Sequence, residues 1–172
     1  MTKILFICHG NICRSPMAEF VMKKLVSDAN LQNEFIIDSA ATSTEELGNG
    51  MHRGTLRMLQ EKNIPYTNHR ARQITMQDYS DYDYLVGMDE ENLYYMQKKW
   101  HNDFENKISL LLSYANLNRD IADPWYTGNF YQTYDDILLG CTKLLEKIIK
   151  EKNYRIKKWF TTTFLTQLVT LH

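Results

Sequence analysis

Cysteine is sparse in this chain: only Cys8, Cys13 and Cys141 occur among 172 residues. An odd, scattered set does not read as the disulfide framework of a small secreted domain, and a reducing cytoplasm is the expected setting. Any surplus of one charge is also missing, since 20 basic and 21 acidic residues leave a formal net charge of −1. No global positive field is available to hold nucleic acid or anionic lipid, so any anion site must be local. Long apolar runs are absent too. Ile4-Leu5-Phe6-Ile7 stops after four residues, too short for a signal-peptide core or a membrane span, and no membrane association is expected. There are no repeats or low-complexity stretches, and only Pro16, Pro65 and Pro124 punctuate the chain.

What is present suffices for one core. A hydrophobic content of 44% over this length supports a single globular domain, expected over residues 1–152, with 153–172 as a carboxy-terminal extension. Residues 3–7 form a continuous β-favouring run, as in a strand buried on both faces of a parallel sheet. Ser15-Pro16 then opens a helical pattern, with serine suited to the cap and proline to the first turn. Further strands are expected at 35–40, 82–88 and 108–114, and helices at 53–62, 89–100 and 131–152. This alternation predicts an α/β fold, a parallel sheet with helices on both faces. Ligands of such folds bind beyond the carboxyl ends of the strands, where Cys8 follows the first.

The segment Cys8-His9-Gly10-Asn11-Ile12-Cys13-Arg14-Ser15 therefore sits between a strand and a helix. Its backbone N–H groups can curve around an anion at the helix N-terminus. The same positive field is expected to favour a thiolate at Cys8, a nucleophile aimed at phosphorus. Arg14 supplies a planar fork for two phosphoryl oxygens. Ser15 can donate its hydroxyl to the Cys8 sulfur, and Gly10 and Asn11 tolerate the left-handed backbone a tight loop needs. Cleaving a phosphate ester also needs a proton for the leaving oxygen. Asp123, in Asp123-Pro124-Trp125-Tyr126, is the candidate acid, with Trp125 and Tyr126 as an aromatic wall for an aryl ring. On spacing alone this stretch reads equally well as an ordinary Asp-Pro turn.

These two segments together resemble the low-molecular-weight protein tyrosine phosphatase family. Asp38-Ser39-Ala40-Ala41, His69-Arg70-Ala71-Arg72-Gln73 and Met88-Asp89-Glu90 resemble its internal landmarks in order, and the likeness spans about residues 3–150. The resemblance implies a flavodoxin-like four-stranded parallel sheet and hydrolysis of phosphotyrosine, or of small aryl phosphates, through a cysteinyl-phosphate intermediate. It implies that Cys8 attacks phosphorus, Arg14 binds the phosphoryl group, and Asp123 protonates the phenolate and then activates water. Ser15 would assist thiolate departure, while Asn11 and His69 would brace the loop. No metal or other cofactor is implied, and the expected partners are phosphotyrosine-containing proteins or peptides. In the family the neighbouring loop cysteine, here Cys13, traps an oxidised nucleophile as a reversible disulfide; filling space beneath the loop is the other reading. Cys141 is expected in the core.

The chain also departs from the family. Glu45 stands where relatives place an aromatic residue at the cleft edge, so it either alters substrate preference or points to solvent. Residues 153–172 run beyond the usual end, as a loosely packed tail or a basic-aromatic anchor. Three rival functions remain. In a phosphoarginine phosphatase on the same scaffold the position of Ile12 tends to be threonine, whereas isoleucine suits an aryl group. An arsenate reductase needs further exchanging cysteines downstream, where only Cys141 is available. A non-catalytic phosphate-binding module has no use for Asp123.

Overall fold

A computed structural model describes residues 1–152 of the chain. The extension 153–172, with the tail and anchor readings attached to it, lies outside the described residues. The amino-terminal apolar run forms β1 (Thr2–Cys8), and its side chains alternate between the two faces of the sheet. Ile4, Phe6 and Cys8 join one buried cluster; Leu5 and Ile7 join the other. A strand buried on both faces belongs at the centre of a sheet, and β1 lies there. It pairs in parallel with β2 (Phe35–Ala41) on one side and β3 (Tyr84–Gly87) on the other, and β4 (Ile108–Leu110) completes the all-parallel order β2-β1-β3-β4. This is the flavodoxin-like arrangement. The strand order reverses direction around β1, and the register sets Cys8 opposite Ala41 at the carboxyl edge of that switch point.

Helices α1 (Arg14–Asp28), α2 (Arg53–Glu61) and α6 (Phe130–Lys152) contribute to the larger cluster, where Phe20, Met58 and Ile137 are buried. Helix α4 (Glu90–Trp100) covers the other face with Met96 and Trp100. Two short helices, α3 (Met76–Asp81) and α5 (Pro124–Thr127), complete the set. Helix α3 was not expected, although Thr75 and Asp78 form a capping box around its start.

Two further expectations need correction. The fourth strand stops at Leu110 rather than running to 114, and a 3₁₀ turn, Leu111–Ala115, follows. There the consecutive Leu111 and Leu112 are both buried in one cluster, which an alternating strand cannot achieve. The Ser113 hydroxyl donates to the Leu110 carbonyl at 2.6 Å, and Asn116, at φ 57°, ends the turn. Ser15 is not the cap of α1. Cys13 holds that position, and Ser15 lies inside the first turn.

Candidate active site

Beyond β1 the chain turns through residues 9–13 into α1. Only Asn11 adopts a positive φ there, 58°; Gly10, also expected to do so, does not. Asn11 fits because its amide is anchored on every side. Its two N–H bonds go to Ser15 Oγ and Ser39 Oγ, each at 2.9 Å, and its Oδ1 accepts from the Arg72 amide at 3.1 Å. The side chain thus fixes a conformation that costs a non-glycine residue roughly 1–2 kcal/mol. From outside, His69 Nε2 lies 2.7 Å from the Asn11 carbonyl. A carbonyl only accepts, so that nitrogen carries the proton. The His52 amide donates to the Ile12 carbonyl at 2.8 Å, tying the loop to the start of α2. With its carbonyls held outward, the loop keeps its own amides free: those of Gly10, Asn11, Ile12 and Cys13 donate to no acceptor among the described residues.

Cys8 Sγ sits 3.0 Å from Ser15 Oγ. Because Asn11 already donates to that oxygen, the serine proton is left for the sulfur or for the Ala40 carbonyl, which lies farther off at 3.4 Å. Ser39 continues the chain, donating to the buried Glu19 at 2.6 Å.

Arg14 is also buried. Its Nη2 donates to Asp123 Oδ2 at 2.7 Å, and its Nη1 to Asp89 Oδ2 and to the Ile121 carbonyl at 3.1 Å. Burial alone would lower its pKa, but negative charge at Cys8, Asp123 and Asp89 outweighs it and raises the pKa, so the guanidinium stays charged. Its Nε is buried with no partner among the described residues, a donor left for an incoming oxygen. Asp123 caps α5 as well, its Oδ1 accepting from the Trp125 amide at 3.0 Å. Asp89 and Ser39 appeared in the sequence only within landmarks, and no role was expected of either. Asp89 was legible as a helix start, since it caps α4 in a capping box with Asn92, but its reach to Arg14 spans 75 residues.

The pocket these groups enclose measures about 100 Å³ and is lined, from the loop, by Cys8, His9, Gly10, Ile12, Cys13 and Arg14. Glu45, Glu46, Asp123, Trp125 and Tyr126 stand around them. Asn11, Ser15 and His69 brace it from behind rather than line it. The Glu45 side chain is 71% exposed, and its Oε2 lies 3.0 Å from His9 Nε2 at the pocket edge. Burial, followed by the charges of Cys8 and Asp123, pushes the Cys13 thiol up to about 12. Burial pushes the Cys141 thiol up as well, and that residue is wholly enclosed, as expected of a core side chain.

The family model for low molecular weight phosphotyrosine protein phosphatases matches residues 3–154. The chain belongs to this family. Among members of the phosphatase family it is 38% identical over 154 residues to YfkJ of Bacillus subtilis, covering 88% of this chain and 99% of that protein. It is 35% identical over 156 residues to PtpA of Staphylococcus aureus, covering 90% and 99%. The crystal structure of YfkJ superposes with a TM-score of 0.86 over 88% of this chain and 97% of the other. That of a Drosophila arginine phosphatase does so with 0.78, at 34% identity, over 86% and 98%. As a member of this phosphatase family the chain is a hydrolase, and its cradle, arginine and carboxylate lie at the carboxyl edge of the family's sheet.

Proposed function

We propose that this enzyme hydrolyses phosphotyrosine in proteins or peptides, and small aryl phosphates, through a phosphocysteine intermediate at Cys8. One observation carries the reading: the Cys8–Ser15 contact at 3.0 Å and the Arg14–Asp123 contact at 2.7 Å meet at one small pocket with free backbone donors. In the first step the Cys8 sulfur forms a bond to phosphorus as the bond to the tyrosyl oxygen breaks, and Asp123, protonated, gives its proton to that oxygen. In the second step Asp123, now a carboxylate, takes a proton from water. The oxygen of that water bonds to phosphorus, the S–P bond breaks, and inorganic phosphate leaves. Arg14 and the loop amides face the three equatorial oxygens, where transition-state charge gathers, and Ser15 donates to the sulfur as it departs.

The aryl preference rests on Ile12, Trp125 and Tyr126, which give the mouth apolar surface. A phosphoarginine substrate is the second reading, favoured by the likeness to the Drosophila arginine phosphatase. Glu45 and its partner His9 are assigned to substrate preference at the rim, and Cys13 to a reversible disulfide with an oxidised Cys8. No helix among the described residues is long and apolar enough to cross a membrane. Phosphoprotein substrates in the cytoplasm complete the proposal.

The test is turnover of phosphotyrosine, phosphoarginine and phosphoserine peptides by the parent, Cys8→Ser and Asp123→Ala. Phosphotyrosine should be strongly preferred, Cys8→Ser inert, and Asp123→Ala slowed by about 10²–10⁴ on poor leaving groups with little effect on good ones. Residual turnover by Cys8→Ser would sink the mechanism, and a preference for phosphoarginine would replace the substrate.

A further inference from the structure

Trp125 lines two depressions. One is the catalytic pocket; the other is a groove of about 610 Å³ bounded by His52, Arg53, Arg57 and Phe130. The floor of the groove is built closely. The Phe130 ring stacks on His52 at 5.2 Å with an interplanar angle of 2°, and His52 meets Trp125 edge-on at 5.6 Å. The tilt of His52 is set by its Nδ1, which accepts from the Gly54 amide at 3.1 Å. Gly54 permits the approach, because a β-carbon there would lie 2.4 Å from Phe130 Cζ.

The rim is cationic. Arg53 and Arg57 stand one turn apart on α2 and so share a face. Both are exposed. Arg53 has no hydrogen bond or ion pair among the described residues, and Arg57 approaches only Glu61, at 3.8 Å. No carboxylate lines the groove, whereas Glu45 and Glu46 both line the catalytic pocket. The sign of the rim charge therefore reverses between the two depressions that share Trp125. A peptide whose phosphotyrosine enters the pocket must run its flanks over this surface. One flank crosses a wall shared with two guanidinium groups, Arg53 without a partner among the described residues and Arg57 held only by the exposed pair to Glu61.

We propose that the Arg53/Arg57 groove is a specificity subsite that takes an acidic side chain flanking the phosphotyrosine of the substrate peptide. The inference rests on the phosphotyrosine reading above. Recognition here is by exposed charge, so it acts through binding and is screened by salt.

The experiment compares three phosphotyrosine peptides, with an acidic pair on the amino-terminal flank, on the carboxy-terminal flank, or on neither, using p-nitrophenyl phosphate as the flankless control. The full chain should turn over one acidic-flank peptide about fivefold better than the neutral one, through KM rather than kcat. The advantage should shrink at about 0.5 M salt. The double variant Arg53→Gln/Arg57→Gln should lose that advantage while handling the neutral peptide and p-nitrophenyl phosphate as the parent does. A flat response to flank charge, a preference that survives the double substitution, or an equal loss on the neutral peptide would each overturn the subsite. If the parent fails on p-nitrophenyl phosphate itself, the phosphatase reading falls and the subsite with it.

Discussion

At the base of the pocket the polar side chains are bound to one another out of solvent, while at its rim they hang from single contacts in water. Asn11 uses both amide hydrogens and its oxygen, Ser15 is shared between Asn11 and Cys8, and Arg14 is clasped by two carboxylates and a carbonyl. Glu45 has one contact to His9, and Tyr126 projects with 84% of its surface exposed. Buried networks hold one geometry because each unmet polar group carries a desolvation cost, and exposed groups pay almost nothing to move. Such a division suits an enzyme whose reaction is invariant and whose substrates differ. On the proposed function, chemistry belongs to the base and selection to the rim.

Substitutions at Arg14 should give the largest separation. Arg14→Ala strands Asp89 and Asp123 beside each other, and should cost about 3–5 kcal/mol in a urea unfolding experiment as well as abolishing turnover. Arg14→Lys restores the charge without the fork and should fold better yet remain slower by about 10³-fold. A fully active lysine variant would show that the base needs only charge. Next comes Asn11. Its alanine variant loses three buried hydrogen bonds and keeps an unfavourable φ, for an expected loss of about 2–4 kcal/mol. Asn11→Gly loses the same bonds but relieves the backbone term, so the difference in stability between the two isolates the cost of φ, and equal stabilities would mean that φ contributes nothing.

Alkali should also strike the interior first. Burial, then neighbouring negative charge, raises Cys13, Tyr82 and Tyr134 to about 12 each. Folding therefore favours their protonated forms, and the unfolded chain gives up those protons first, from about pH 9 for a thiol and about pH 10 for a phenol. Stability should be fully present below pH 9 and fall as pH climbs towards 12. Urea midpoints across that range test this, and a midpoint indifferent to pH would refute it. Replacing Cys13 by alanine should flatten the earliest part of the decline. The smallest effect belongs to the rim: Glu45→Trp should shift selectivity among peptides by about two- to fivefold while leaving stability within about 0.5 kcal/mol. Unchanged selectivity would return Glu45 to solvent.

How much of this was legible depended on how local the signal was. The apolar run of β1, the loop after it and the start of α1 are contiguous, so the strand before the loop, its Gly-Asn interior and the helix after it together pointed to a phosphate cradle. Helix α3 was equally local and went unread, although Thr75 and Asp78 carry its capping signature. The 3₁₀ turn after β4 was hidden because Leu111-Leu112-Ser113-Tyr114 has the composition of a buried strand, and only packing shows both leucines turned into one cluster. Ser15 was misread as a cap because α1 begins at Arg14, which puts Ser15 inside the first turn, while its contact with the Cys8 sulfur was read from the loop. Asp89 could not have been read as a partner of Arg14 at all, since nothing local connects them; the sheet does that by placing the ends of β1 and β3 side by side.

The bond between Arg14 and Asp123 has a consequence for the resting enzyme. The cradle's cation is never bare: a tethered carboxylate already sits on one prong, at the effective concentration that attachment to the same chain provides. Stray anions must displace an internal competitor before they can settle, and so must the substrate. On the proposed mechanism the substrate alone repays the exchange, because the carboxylate it dislodges, once it has taken up a proton, is the acid its leaving oxygen needs. When phosphate departs and Asp123 has released the proton it took from water, the carboxylate is at hand to take back the prong, so the same contact that guards the site also helps to clear it.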